Sequence, residues 1–310
     1  MAPTFEILFP IFGLILAGFV CRRANVLGPT AASELNRFVV WLALPAMLFH
    51  NVAKTSWDQL YQPGFAAAYG VGLAAVFVLV VVWRRWQGMS LADASIDGMA
   101  AAYPNAGYIG FPMALLIYGA PSLLPVTIAT LLTACVLFAV AIVCIEVGLQ
   151  AERKPHLLAL KVIRALLRNP LIVAPLAGLA VLASGVAMPQ SVDTFMRLLS
   201  QAAGPCALVS LGLFLAEKRP AAKPGPAAVW LTLAKVVLQP AITWWVAARV
   251  LQLSPMLVGT AVLLAALPTG TGPYMLAQYY ARDAQLTARV ILFSTVVAVF
   301  TLSVLLMVLV

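Results

Sequence analysis

The stretch Tyr103-Pro104-Asn105-Ala106-Gly107-Tyr108-Ile109-Gly110-Phe111-Pro112 sits inside an apolar segment long enough to cross a bilayer, and its reading decides the fold. Each proline removes a backbone donor and clashes with the carbonyl four residues back, so a continuous helix is not expected here. Two half-helices should instead meet around an unwound turn. In hydrocarbon such a turn is tolerated only where it is buried in protein or lines a water-filled cavity. A second stretch of this kind, Leu267-Pro268-Thr269-Gly270-Thr271-Gly272-Pro273-Tyr274, lies towards the other end of the chain. Gly/Pro-interrupted membrane segments at corresponding places in two halves mark the binding site of a secondary transporter.

The chain has 310 residues, 63% of them hydrophobic and 9% charged, an apolar share well above that of a soluble domain. Composition therefore points to an all-α polytopic membrane protein. Ten apolar segments approach the ~20 residues needed to span about 30 Å of hydrocarbon. They run close to residues 4–21, 35–53, 64–83, 94–118, 122–149, 169–185, 193–215, 227–248, 256–280 and 286–308.

A net charge of +9 invites a nucleic-acid reading, but the basic residues are placed for a bilayer. With the amino terminus outside, fifteen of the nineteen Lys and Arg fall on the inner side, among them Arg22, Arg23, Arg84, Arg85 and Arg282. Lys54, Arg197 and Arg249 fall outside, and Lys235 is left in mid-membrane. This asymmetry follows the positive-inside rule and puts both termini on the outer, periplasmic face. The first segment has no basic residue before its apolar run, so it reads as a retained helix and not as a cleaved signal. Short loops and the lack of a long hydrophilic domain point to a bacterial inner (plasma) membrane. Cys21, Cys135, Cys144 and Cys206 have no metal-ligand spacing and read as packing residues. Neither a metal nor a cofactor nor a nucleic-acid partner is expected.

The two halves match at an offset of 160 residues: Pro10, Leu16, Ala17 and Gly18 fall on Pro170, Leu176, Ala177 and Gly178, and Arg37, Pro45 and Leu48 fall on Arg197, Pro205 and Leu208. After a short gap Pro104 meets Pro268, and Pro112 meets Pro273. Five segments is an odd number, so the second half must enter the membrane turned over, and 1–149 and 169–310 are expected to be inverted five-helix repeats. Between them, residues 150–168 form a basic cytoplasmic linker in which Leu157, Leu160, Ile163 and Leu167 alternate with Lys161, Arg164 and Arg168. That spacing predicts an amphipathic helix on the inner leaflet. The Pro/Ala/Lys run at 219–227 reads as a short inner loop.

The second segment, with Asn36-Arg37-Phe38-Val39, Leu44-Pro45 and Phe49-His50, resembles the auxin efflux carrier family, which includes the plant PIN-FORMED exporters and bacterial carriers assigned to malonate or malate. Pro104-Asn105 followed by Gly110-Phe111-Pro112 is similar to that family's first crossover. Ala266-Leu267-Pro268, Gly270, Pro273, Ala277 and Tyr280 are similar to its second, and Ser210-Leu211-Gly212-Leu213-Phe214 and Arg168-Asn169-Pro170 also match. The resemblance covers essentially the whole chain. The long loop of the large plant members between helices five and six is lacking, so regulation carried on that loop does not transfer. The resemblance implies a scaffold of helices 1, 2, 6 and 7, a mobile transport domain of helices 3–5 and 8–10, a homodimer formed through the scaffold, and elevator-type alternating access.

Helix amino-terminal ends, with free donors and about half a positive charge each, favour an anion. At the first crossover Asn105 offers an amide to a carboxylate, flanked by Pro104, Gly107 and Tyr108. At the second, Thr269 and Thr271 offer hydroxyls beside Pro268, and Gly270 allows backbone to approach closely. Gly110, Pro112, Gly272 and Pro273 shape the breaks. The plainer alternative is a pair of proline kinks packed between neighbours. Lys235 costs about 2.5–3.5 kcal/mol in mid-membrane. It attracts the substrate carboxylate, stands as a tethered positive charge, or snorkels its ammonium to the inner interface. Gln239 and Gln201 are weaker polar candidates. His50, near the outer interface, is open to a helix-capping or a pH-sensing role. Asp93 and Asp97, one turn apart, resemble the magnesium-holding pair of membrane lipid-transferases, but acids at a helix start also simply favour the dipole. Glu146 is expected to pair with local arginines.

The expectation is a secondary transporter that exports a small organic carboxylate anion, auxin-like or a dicarboxylate, across the lipid bilayer. The alternative is proton- or sodium-coupled uptake of a malonate- or malate-type carboxylate. A magnesium-dependent intramembrane enzyme is a third reading; no catalytic residue is expected.

Overall fold

The computed structural model describes residues 2–149, 156–157, 160, 163–164, 167–217 and 225–309. Among these the regular elements are helices: α1 (Ala2–Arg23), α2 (Ala31–Ala53), α3 (Pro63–Trp86), α4 (Leu91–Ala102), α5 (Ala106–Tyr118), α6 (Ala120–Leu149), α7 (Pro170–Ser184), α8 (Gln190–Leu215), α9 (Pro226–Val250), α10 (Pro255–Ala266), α11 (Gly272–Tyr279) and α12 (Gln285–Leu309). Among the described residues seven helices are long and apolar enough to cross a membrane, and α5, α7 and α10 are shorter apolar helices. The amphipathic helix expected over 150–168 lies largely outside the described residues; Leu157, Leu160, Ile163 and Leu167 within it are exposed. Most of the 219–227 loop also lies outside them.

The segments expected at 94–118 and 256–280 are each interrupted, as α4/α5 and α10/α11. The interruptions are shorter than the sequence reading anticipates. Only Tyr103–Asn105 and Leu267–Thr271 leave the helical path; Gly110 and Pro112 lie within α5, and Gly272 and Pro273 open α11. A proline in a first helical turn lacks only a donor that the helix would not have used. Elsewhere prolines are absorbed by widened turns: the π turns Val39–Ala43, Ala106–Gly110 and Ala234–Leu238 each end two residues before Pro45, Pro112 and Pro240. In the first, the Leu44 N–H reaches back to the Val39 carbonyl, five residues away. Local π adjustment of this kind keeps a proline-bearing helix bonded in lipid.

The chain divides into two compact units. The first comprises Met1–Tyr61, Gly107–Thr127 and Asn169–Ala222. Within it α1 packs along α8 and α7 along α2. Gly18 lies so close to the backbone of Val209 that a side chain there would overlap the carbonyl, and a Cβ on Gly178 would stand 2.8 Å from the Phe49 carbonyl oxygen. Tyr108 donates its hydroxyl to Asn36 Oδ1 at 2.5 Å, and Ser210 donates to the Ala32 carbonyl at 3.1 Å.

The second unit comprises Gln62–Ala106, Ile128–Arg168 and Lys223–Val310. Here α3 packs against α4 and α9, α4 against α6, α9 against α10, and α12 against α9. The Arg84 guanidinium donates to Asp97 at 2.6 Å, and Arg282 grips both oxygens of Asp93, the Nε bond measuring 2.7 Å. The fully buried Tyr69 hydroxyl meets Thr133 Oγ1 at 3.1 Å.

Candidate functional site

Both interruptions fall in the second unit from Tyr103 to Ala106 and from Leu267 onward, and there they touch. Pro104 and Thr269 form an isolated antiparallel bridge. The Asn105 N–H donates to the Pro268 carbonyl at 2.8 Å, and the Gly270 N–H donates to the Tyr103 carbonyl at 3.0 Å. Two unwound strands of backbone, each unable to continue its own helix, thus satisfy one another. Backbone polar groups buried without partners cost several kcal/mol each in an apolar medium, so a single isolated break would be far more expensive than this pair.

The carbonyls that remain can be followed individually. Ala100 would normally receive the N–H of the residue four ahead, but that residue is Pro104. The Thr269 hydroxyl donates to Ala100 instead, at 2.8 Å. The Ala102 carbonyl, at the end of α4, takes Gln239 Nε2 at 3.1 Å. Ala265, at the end of α10, would receive the Thr269 N–H, which donates to Ser294 Oγ at 3.0 Å. Its carbonyl takes Lys235 Nζ at 2.6 Å. The ends joined here, those of α4 and α10, are therefore carboxyl-terminal. In this unit the amino-terminal end beside them is that of α11, where Thr271 provides no side-chain cap.

Among the predicted site residues, Pro104, Asn105, Lys235, Pro268, Thr269, Gly270, Thr271, Gly272 and Pro273 come together in the second unit. Gly107, Tyr108, Gly110 and Pro112 belong to the first. Asn105 is 4% exposed, and among the described residues its side-chain nitrogen has no hydrogen-bond partner. A buried amide donor in that condition is uncommon in folded proteins. Gly270 and Gly272 are required by Tyr103, which lays its ring across both, so a Cβ on Gly272 would stand 2.7 Å from the ring. Lys235 is 0% exposed, which removes the snorkelling reading. Gln239 is equally buried, while Gln201 is exposed.

Other candidates prove to be engaged locally. Asp93 and Asp97 are ion-paired with Arg282 and Arg84, and among the described residues no cluster of three or more His, Cys, Asp or Glu could hold a metal. His50 does not merely end its helix: Asp193 Oδ1 lies 3.0 Å from His50 Nε2 and 2.9 Å from Lys54 Nζ. Glu146, 1% exposed, accepts the Tyr280 hydroxyl at 2.7 Å.

Apolar helices of spanning length, with two interrupted helices hydrogen-bonded to each other, define an integral membrane protein built as a transporter. The family model described as "Membrane transport protein" matches residues 3–306, and the chain belongs to this family, that of the auxin efflux carriers. It is 31% identical over 307 residues to a Rhizobium meliloti protein named "Putative malonate transporter", covering 98% of this chain and 95% of that one. It is 22% identical to "Auxin efflux carrier component 8" of Arabidopsis thaliana, covering 94% of this chain and 93% of that one. A shorter match, 29% identity over 117 residues, is to the "Lysosomal cholesterol signaling protein" of Mus musculus and covers 13% of that protein.

Proposed function

We propose that the chain is a secondary transporter that exports a small organic carboxylate anion by elevator-type alternating access. The observation that carries this reading is the buried Asn105 side chain at the junction of the two interruptions, whose nitrogen has no hydrogen-bond partner among the described residues. It offers a donor to a carboxylate oxygen; Thr271 and the uncapped start of α11 offer more, and Lys235 gives the surroundings their positive sign. Relatives named for malonate and for auxin, a dicarboxylate and an aromatic acid, have the carboxylate in common.

The architecture we infer is ten transmembrane helices in two inverted repeats, 1–149 and 169–310, joined by the linker 150–168. Supporting it, the Gly18–Val209 approach and the Gly178–Phe49 approach map onto each other under the 160-residue offset. So do the pairings of α1 with α8 and of α7 with α2. Helices 1, 2, 6 and 7 of the ten would form the scaffold and the dimer contact, and 3–5 and 8–10 the moving domain. Both termini would lie outside a bacterial inner membrane.

Direction follows from electrostatics. An inside-negative potential of 100 mV is worth about 2.3 kcal/mol per charge, roughly a fiftyfold gradient, so a monoanion leaves the cytoplasm without a coupled ion. Coupled uptake has one observation in its favour, the buried carboxyl of Glu146, a group able to carry a proton. Proteoliposomes loaded with radiolabelled malonate or indole-3-acetate separate the two. Under the export reading, an imposed inside-negative potential accelerates efflux and the opposite sign slows it. Flux indifferent to potential but driven by a pH step overturns export in favour of coupled uptake.

A further inference from the structure

One row of side chains on α9 closes the carboxyl-terminal ends of both interrupted helices. Lys235, in the π turn Ala234–Leu238, donates to Ala265 near the end of α10, and Gln239, four residues on, donates to Ala102 at the end of α4. Residues four apart lie on one face of a helix, so the two caps are built as a unit. They differ in charge. A helix carboxyl terminus carries roughly half a negative charge, and in transporters with discontinuous helices such ends, with the unwound carbonyls beside them, are where a coupling cation is coordinated. In this chain the end of α10 is met by the side-chain nitrogen of Lys235, covalently held and fully buried; that carbonyl is its one hydrogen-bond partner among the described residues.

Resting on the carboxylate-carrier reading above, we propose that Lys235 is a tethered substitute for a coupling cation: it occupies the ion's position at the end of α10 and makes anion binding independent of sodium. Gln239 is its neutral counterpart at the end of α4. Lys235 is then a positioning residue, acting on the substrate through the crossover backbone it holds and the positive potential it supplies. Removing the side chain should leave a small cavity lined by the Ala265 carbonyl, which a soluble cation can enter.

The test uses the full-length protein in nanodiscs, with sodium chloride replaced by N-methylglucamine chloride at constant ionic strength. Wild-type melting temperature and malonate binding should be unchanged by the replacement, an arm that needs no variant. Lys235→Ala should melt lower and recover at least half of the loss in methylammonium or ethylammonium, but not in ethanol, which offers a hydroxyl without charge. Lys235→Arg should keep the sodium independence. The proposal is overturned by a wild-type protein that needs sodium for binding or for its melting temperature. It is equally overturned by a Lys235→Ala variant that melts like wild type, or by equal rescue with ethanol. If neither malonate nor indole-3-acetate binds in any medium, the carrier reading fails, while the ligand-free melting series still decides the role of Lys235.

Discussion

At the first interruption Asn105 keeps a buried side-chain nitrogen with no partner among the described residues, whereas at the second Thr269 commits both its N–H and its hydroxyl to neighbours. Each break supplies a proline and each supplies backbone to the other. What separates them is where the polar side chain points its donors: Thr269 repairs the helix that Pro104 interrupts, and Asn105 repairs nothing. The comparison teaches that two proline-bearing interruptions use their polar side chains differently: Thr269 is committed to neighbours, and Asn105 keeps a buried donor uncommitted among the described residues.

Exchanging the chemistry of the two positions is the sharpest way to break that division. Asn105→Asp would put a negative charge where an anion is expected and should abolish malonate or indole-3-acetate binding in a thermal-shift or calorimetric titration. Asn105→Ala removes one hydrogen bond to a charged group, about 1.5–3 kcal/mol, and should weaken binding about 10- to 100-fold. Thr269→Ala should change affinity by no more than about threefold, or ~0.7 kcal/mol. A larger effect at Thr269 than at Asn105 would reverse the assignment.

Stability should show the opposite pattern. Gly272→Ala forces a methyl group against the Tyr103 ring and should lower unfolding stability by about 1–3 kcal/mol, in the range of overpacked cores. The double variant with Tyr103→Leu should recover most of the loss; recovery failing would mean that the glycine is needed for backbone approach and not for the ring. Thr269→Val keeps the shape and removes the hydroxyl, leaving the Ala100 carbonyl without it, and should cost about 1–2 kcal/mol in the same melting experiment. Asn105→Ala should leave the ligand-free melting temperature almost unchanged, since its amide holds no partner to lose.

Much of the fold was legible because proline has a local consequence. Pro104 and Pro268 have no N–H to give, and both sit in breaks; the apolar segments around them announced the membrane through length alone. The same rule over-reached at Pro112, which lies within α5, and at Pro273, which opens α11, and could not foresee that Pro45, Pro112 and Pro240 would each follow a π turn. Whether a proline breaks, starts or widens a helix depends on which other groups are near enough to take the freed carbonyls, and those lie far along the chain. Lys235 shows the same limit. Its cost in hydrocarbon marked it as significant, but its partner Ala265 is thirty residues away and the Ala102 partner of Gln239 more than a hundred. The packing of Tyr103 on glycines 270 and 272 was not legible, because an aromatic beside a proline carries no signal of what will lie beneath it.

The sequence by itself determined that this is a helical membrane protein with two weak points, since hydrophobic length and missing N–H groups act within their own segments. Tertiary structure alone decided how the two weak points answer each other, which carbonyls the buried lysine and glutamine close, and which amide is left over. Those outcomes are set by hydrogen bonds between residues distant in sequence, and in a medium without water such bonds must be made by whichever side chains the packing brings within about 3 Å.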